Sequence, residues 1–157
     1  MTMCTQRIIE MNDIVKEYIA SLLALEMCCK DGHYQVKGID FRQLHMLFDQ
    51  IINGIDDDSE STLSDMRDSI QEIYFLGKGL NALSGQDMLN IAATLIVPVG
   101  DNNIVLIQNA KDALIGCLER VGAILKGNIT QGENDLFANQ ARELQHRLGF
   151  LERTLAQ

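Results

Sequence analysis

The chain has 157 residues, 46% of them apolar and 5% aromatic, with one Pro, no Trp, a net charge of −9 and a pI near 4.7. That length carries one domain with a core and is too short to expect two, so residues 1–157 read as a single domain. The acidic balance argues against direct binding to DNA, which takes Lys and Arg to neutralise phosphates, and neither terminus supplies a basic arm.

Leu, Ile, Ala and Met dominate the apolar set, which favours helices. Four long helical patterns follow in chain order. The first runs from about Asn12 or Asp13, either of which can cap it, to about Lys30, with Ile14, Tyr18, Leu22 and Leu25 on its apolar face. Lys30-Asp-Gly32 weakens or ends it, with a last turn reaching His33 as the alternative. The second runs from Phe41 to about Leu76. Asp40 is its expected N-cap, with Gln43 completing a capping box. Gly54 is read as a tolerated interruption, and Gly77 to Gly79 as the end. Leu44, Phe48, Ile51, Ile55, Leu63, Ile70 and Ile73 form its core face.

A short helix over Gln86 to Leu95 falls in the long connection from Gly77 to Gly100. The third long helix runs from about Asp101 to Lys126, capped by Asp101 or Asn102, with Ile107, Ala110, Leu114, Cys117, Val121 and Ile124 inward. The fourth runs from about Asn134 to Leu155, with Phe137, Ala141, Leu144, Leu148, Leu151 and Leu155 inward. The expected fold is all-α: a ferritin-like four-helix bundle whose long crossover carries a short extra helix.

Cys4, Cys28, Cys29 and Cys117 have neither zinc nor disulfide spacing. They read as free thiols in a reducing compartment, hence a cytoplasmic protein. The N-terminus lacks a basic region leading into an apolar one, and no apolar run reaches membrane-spanning length. The seven Met residues, Met3, Met11, Met46 and Met66 among them, read as core filler. His146 reads as a surface residue.

The residues that bear chemistry sit around the second helix. His45 and Asp49 are four apart and share a helix face, and imidazole with carboxylate suits first-row divalent metals. His45, Asp49, Asp56 and Glu60 lie on roughly one stripe of a continuous helix. Asp49 and Glu60 are then about 16 Å apart at 1.5 Å per residue. Metal bonds are only about 2 Å long. If both residues are ligands, the stripe must meet that of a second, antiparallel copy, which a two-fold dimer provides. On spacing alone a simpler reading stands ahead: a solvated acidic face over Asp56-Asp-Asp58, Glu60, Asp65, Asp68 and Glu72, with His33 and His45 capping helix ends or pairing with nearby carboxylates.

The motif His33-Tyr-Gln-Val-Lys-Gly38, followed by Phe41, Leu44-His45 and Phe48-Asp49, resembles the ferroxidase segment of the Dps family, the ferritin-like DNA-protecting proteins of starved cells. The stretches Asp135-Leu-Phe, Arg142-Glu143-Leu and Phe150-Leu-Glu152 resemble that family's last helix. Helix order and lengths agree over almost the whole chain.

The resemblance implies two-fold dimers assembling to a hollow dodecamer, with ferrous iron oxidised at the two-fold interface by peroxide or dioxygen and stored inside. It implies that His33, His45 and Asp49 are metal-binding and catalytic. Glu60, from a second subunit, falls where the family usually has Asp, and Asp56 or Asp68 partly compensates for the last carboxylate if the register shifts. Glu133 and Asp135 fall near the family's pores that admit ions at three-fold axes; ordinary charge at a helix N-terminus explains them nearly as well. Ser64 stands where the family has a Glu ligand, and Tyr34 and Gly149 stand where it has Trp. The alternative function is therefore a Dps-like shell or interaction protein with a degenerate metal site and no iron turnover. A nucleoid-compacting role is disfavoured by the charge.

Overall fold

The computed structural model describes residues 2–56 and 58–156, and the side chains of all of these but 3–9. The readings of Cys4 and Met3, and the place of Asp57 in the acidic run, therefore lie outside the described residues. Among the described residues there are six α-helices and no strand: α1 (Met3–Gln35), α2 (Phe41–Asn53), α3 (Leu63–Ile70), α4 (Gly85–Leu95), α5 (Asn103–Leu125) and α6 (Gln131–Leu155). α1 packs against α5, α2, α3 and α4, and α6 packs against α5. The all-α bundle with a helix in its crossover is the expected architecture.

The core follows helical spacing. Val15, Tyr18, Ile19, Leu22, Leu25 and Cys29 of α1 are fully buried, facing Leu114 and Cys117 of α5 and Phe137, Leu144 and Leu151 of α6 in one continuous cluster. Burial of that kind is the main source of stability, at about 25 cal/mol per Å² of apolar surface. A buried polar bridge ties three helices: the Tyr18 hydroxyl donates to Gln140 Oε1 at 2.9 Å, and Gln140 Nε2 donates to the Met66 carbonyl at 3.1 Å. In the crossover, Ala92 of α4 meets Ala20 and Ala24 of α1 in a second small cluster. Gln71 holds the crossover's start by exchanging two hydrogen bonds with the Leu83 backbone, at 2.8 and 2.9 Å.

Several boundaries differ from expectation. α1 starts at Met3 and continues through Gly32 to Gln35. Gly32 does not end it because the glycine is packed: a Cβ there would come 2.4 Å from the Phe48 ring. The close approach of α1 and α2 depends on that missing side chain. Asp40 makes no side-chain cap, since its backbone (φ −94°, ψ 10°) is not in the extended conformation a capping side chain needs. α6 begins at Gln131, capped by Thr130, whose hydroxyl accepts the Glu133 N–H while the Glu133 carboxylate accepts the Thr130 N–H.

The largest correction is to the second helix. It is not continuous from Phe41 to Leu76. Gly54 adopts φ +104° and ψ 142°, a conformation open to glycine but strained for other residues, and α2 stops there. A non-helical segment follows until Thr62, whose hydroxyl accepts the Asp65 N–H and starts α3. Beyond Ile70 the chain widens into a π-helical turn (Gln71–Phe75), then tightens into a 3₁₀ turn (Leu76–Lys78) ended by Gly79 at φ +70°. The extra residue per turn rotates the register. Tyr74 and Phe75 are buried as a result, while Ile73, expected inward, is 48% exposed.

Candidate metal centre

The α1–α2 contact places His33 of α1 beside His45 of α2. The two rings stack with centroids 3.5 Å apart and planes at 27°. His45 Nδ1 lies 2.7 Å from the His33 carbonyl oxygen, and His33 Nδ1 lies 3.1 Å from the His45 carbonyl oxygen. A carbonyl oxygen only accepts, so each Nδ1 carries the hydrogen and donates. The unprotonated nitrogen of each neutral ring is then Nε2, the form of imidazole that binds a metal.

Asp49, one turn after His45, brings its Oδ1 to 3.0 Å from His33 Nδ1. One potential ligand atom from each of His33, His45 and Asp49 lies within 4.8 Å of the others, and all three residues are half-buried. Two imidazoles and a carboxylate on half-exposed ground form an open ligand set for a first-row divalent ion. An apolar rim surrounds them. Tyr34 stands edge-on to His33 at 5.0 Å and Phe41 lies against His45 at 5.1 Å. Both are exposed, as are Met46 and Ile39, the latter 98% exposed.

Glu60 and Asp56 are not on the α2 stripe. Because the helix ends at Gly54, Glu60 turns toward α6. Its Oε1 accepts the Ile55 N–H at 2.7 Å and the Asp56 N–H at 3.1 Å, and its Oε2 lies 2.7 Å from His146 Nδ1. Burial pushes the Glu60 carboxyl up. The hydrogen bonds from His146, Asp56 and Ile55 outweigh it and hold the group below the ordinary carboxylate value. Beneath it, the fully buried Arg147 donates to the carbonyls of Ile51 (2.7 Å), Glu143 (3.3 Å) and Ser61. Glu143 accepts the Ser61 N–H at 2.6 Å. A polar cleft of about 340 Å³ opens among Ser59, Glu60, Asn139, Arg142, Glu143 and His146. Asp56 is exposed, and its Oδ1 accepts the Asp58 N–H at 3.3 Å.

His146 and Arg147, the partners that determine where Glu60 points, carry no sequence signal, being 86 and 87 residues downstream of it. Glu133 is buried in its capping box and 2.8 Å from Lys78 Nζ, so its charge is already compensated. Asp135 is exposed and accepts from Gln131 at 3.0 Å. Among the described cysteines, Cys28 is half-buried and Cys29 and Cys117 are buried, all as free thiols. No described helix is long and apolar enough to cross a membrane.

No protein-family model and no curated protein matches the chain. Solved structures do. Antigen TpF1 from Treponema pallidum superposes with a TM-score of 0.76 at 17% identity, covering 96% of this chain and 94% of that one. The Dps protein from Vibrio cholerae O1, described as a member of a broad superfamily of ferritin-like diiron-carboxylate proteins, gives 0.73 at 19%, covering 96% and 92%. Dps from Thermosynechococcus elongatus gives 0.70 at 18%, covering 99% and 96%. The chain has the fold of these proteins over nearly its whole length.

Proposed function

We propose that this Dps-fold protein binds ferrous iron at His33, His45 and Asp49, promotes its oxidation and sequesters the product. The observation that carries the reading is the His33–His45 pair. Each ring is locked by the other residue's carbonyl in the tautomer that a metal needs, with a carboxylate alongside. A packed structural histidine needs one such partner; two stacked imidazoles sharing an open mouth with Asp49 fit a cation better.

Iron is the substrate here. Two ferrous ions each give up one electron, and one peroxide with two protons becomes two waters. The protein's part is to concentrate and hold ferrous ions in a half-buried place, keeping the reaction off other molecules. The net charge of −9 favours approach of cations and opposes binding to DNA phosphates. The exposed rim of Tyr34, Ile39, Phe41 and Met46 supports assembly of two-fold dimers that cover the site. The dodecamer and the cytoplasmic location are part of the same proposal, as is the reading of residues 1–157 as a single domain.

The test is an anaerobic ferrous titration of the assembled protein, followed by peroxide. Saturable binding and rapid oxidation, both lost in His33→Ala and Asp49→Ala, support the reading. A second reading, a Dps-like shell without iron turnover, draws on the exposed Ser64 and the diverted Glu60. It predicts a stable assembly whose weak iron uptake is indifferent to both substitutions.

A further inference from the structure

The expected centre needed a second set of carboxylates on the α2 stripe, offered by a partner copy. Those carboxylates are used elsewhere in this chain. The Gly54 break converts the stripe's lower half into a compact turn. In it the Asp56 carbonyl accepts the Ser59 and Glu60 N–H groups at 3.1 and 2.7 Å, and the Asp56 carboxylate accepts the Asp58 N–H. Glu60 occupies three donors at once: two backbone N–H groups of its own turn and His146 across the bundle. Its side chain is 11% exposed.

A Cβ on Gly54 would stand 3.0 Å from Glu60 Cβ and 3.5 Å from Arg147 Nη2. The glycine, the glutamate and the arginine are therefore fitted to one another. Releasing Glu60 toward a metal would take the acceptor away from the half-buried Ile55 N–H and the Asp56 N–H, and from His146. Ser64, the next candidate, is exposed and offers only a hydroxyl.

We propose that the centre holds one divalent ion per protomer, on His33, His45 and Asp49, and that Glu60 is a structural latch between the Gly54–Thr62 turn and α6. The inference rests on the metal reading above and narrows it: the ligand set is nitrogen-rich and single-ion, rather than a carboxylate-bridged pair.

Cobalt(II) is the probe, because it binds mixed imidazole and carboxylate sets and does not oxidise readily. Equilibrium dialysis of the assembled protein against micromolar cobalt under nitrogen, with metal analysis, is expected to give one tightly held ion per protomer. His45→Ala should lose it. Glu60→Gln should keep it, at unchanged stoichiometry and affinity, and lower the thermal midpoint. Two tight ions per protomer in the unmodified protein would overturn the one-ion inference while leaving the metal reading intact, and Glu60→Gln and Asp56→Asn would then identify the second set. No tight ion at all would overturn the metal reading itself, and the inference with it. The unmodified protein's stoichiometry decides the matter even if a variant fails to fold.

Discussion

His33 and His45, twelve residues apart, each donate a ring N–H to the other's backbone carbonyl, at 3.1 and 2.7 Å. The exchange joins the last turn of α1 to the first turns of α2. It orients both rings, and the Asp49 carboxylate, 3.0 Å from His33 Nδ1, adds to the hold on His33. Each histidine is thus the positioning group of the other and, in the proposed function, a ligand as well.

Removal of either ring should therefore cost more than one ligand. Loss of a group that only orients a ligand typically weakens metal binding 10–100-fold. His33→Ala and His45→Ala are each expected to exceed that range for ferrous iron, in anaerobic titration. The helical circular dichroism should stay unchanged, because both rings are half-buried at the surface of the bundle.

Gly32 controls the same junction through packing. Adding a methyl group 2.4 Å from the Phe48 ring forces α2 away from α1. Gly32→Ala should destabilise the fold by about 1–3 kcal/mol, the usual range for overpacking. It should also weaken iron binding by separating the two imidazoles. A denaturant midpoint and an iron titration on the same variant check both parts.

Stability should fall in acid through Glu60 and Glu133. Both carboxyls are held below the ordinary value of 4.5, burial raising them and hydrogen bonds lowering them further, from His146 and the 55–56 backbone in one case and from Lys78 and Thr130 in the other. A folded-state value below the unfolded one means the stabilisation is complete above pH 4.5 and is lost as pH falls through the lowered values. Glu60→Gln should cost about 1–3 kcal/mol near neutral pH. Its deficit relative to the unmodified protein should shrink steadily below pH 4.5 in urea melts.

Arg147 is fully buried and donates to three carbonyls on three segments. Burial pulls its guanidinium down from the ordinary value, and the nearby Glu60 and Glu143 push back. Arg147→Ala should cost about 3–5 kcal/mol, because Glu60 and Glu143 lose their compensating charge. Arg147→Lys should recover little, since an ammonium cannot span carbonyls in the planar fork that the guanidinium provides. Thermal melts of both variants test this.

The described thiols should react slowly. Burial lifts Cys28 and Cys117 to about 11 and holds Cys29 well above the ordinary thiol value, leaving little thiolate at neutral pH. In a Cys4→Ser background, labelling by a disulfide reagent should take hours in the native protein and seconds in denaturant.

The bundle was legible because its cores are periodic: Tyr18, Leu22 and Leu25, or Leu114, Cys117, Val121 and Ile124, announce a buried face wherever the chain is regular. His45 and Asp49 were legible for the same reason, being one turn apart. The fate of Glu60 was not. A glycine within an apolar pattern reads as a tolerated interruption, and only the tertiary partners of the 54–62 segment turn it into a break. Those partners, His146 and Arg147, lie on the last helix, where nothing local marks them. The reciprocal His33–His45 bonds depend on Gly32 meeting Phe48, a packing event between helices that spacing along one helix cannot reveal.

Whether His33, His45 and Asp49 hold ferrous iron is decided by anomalous diffraction at the iron edge, from crystals of the assembled protein grown anaerobically with ferrous iron. One peak per protomer is expected, about 2 Å from a ring nitrogen of His33, a ring nitrogen of His45 and a carboxylate oxygen of Asp49. A map with no peak there, or with iron bound only at other residues, would rule out His33, His45 and Asp49 as the iron site.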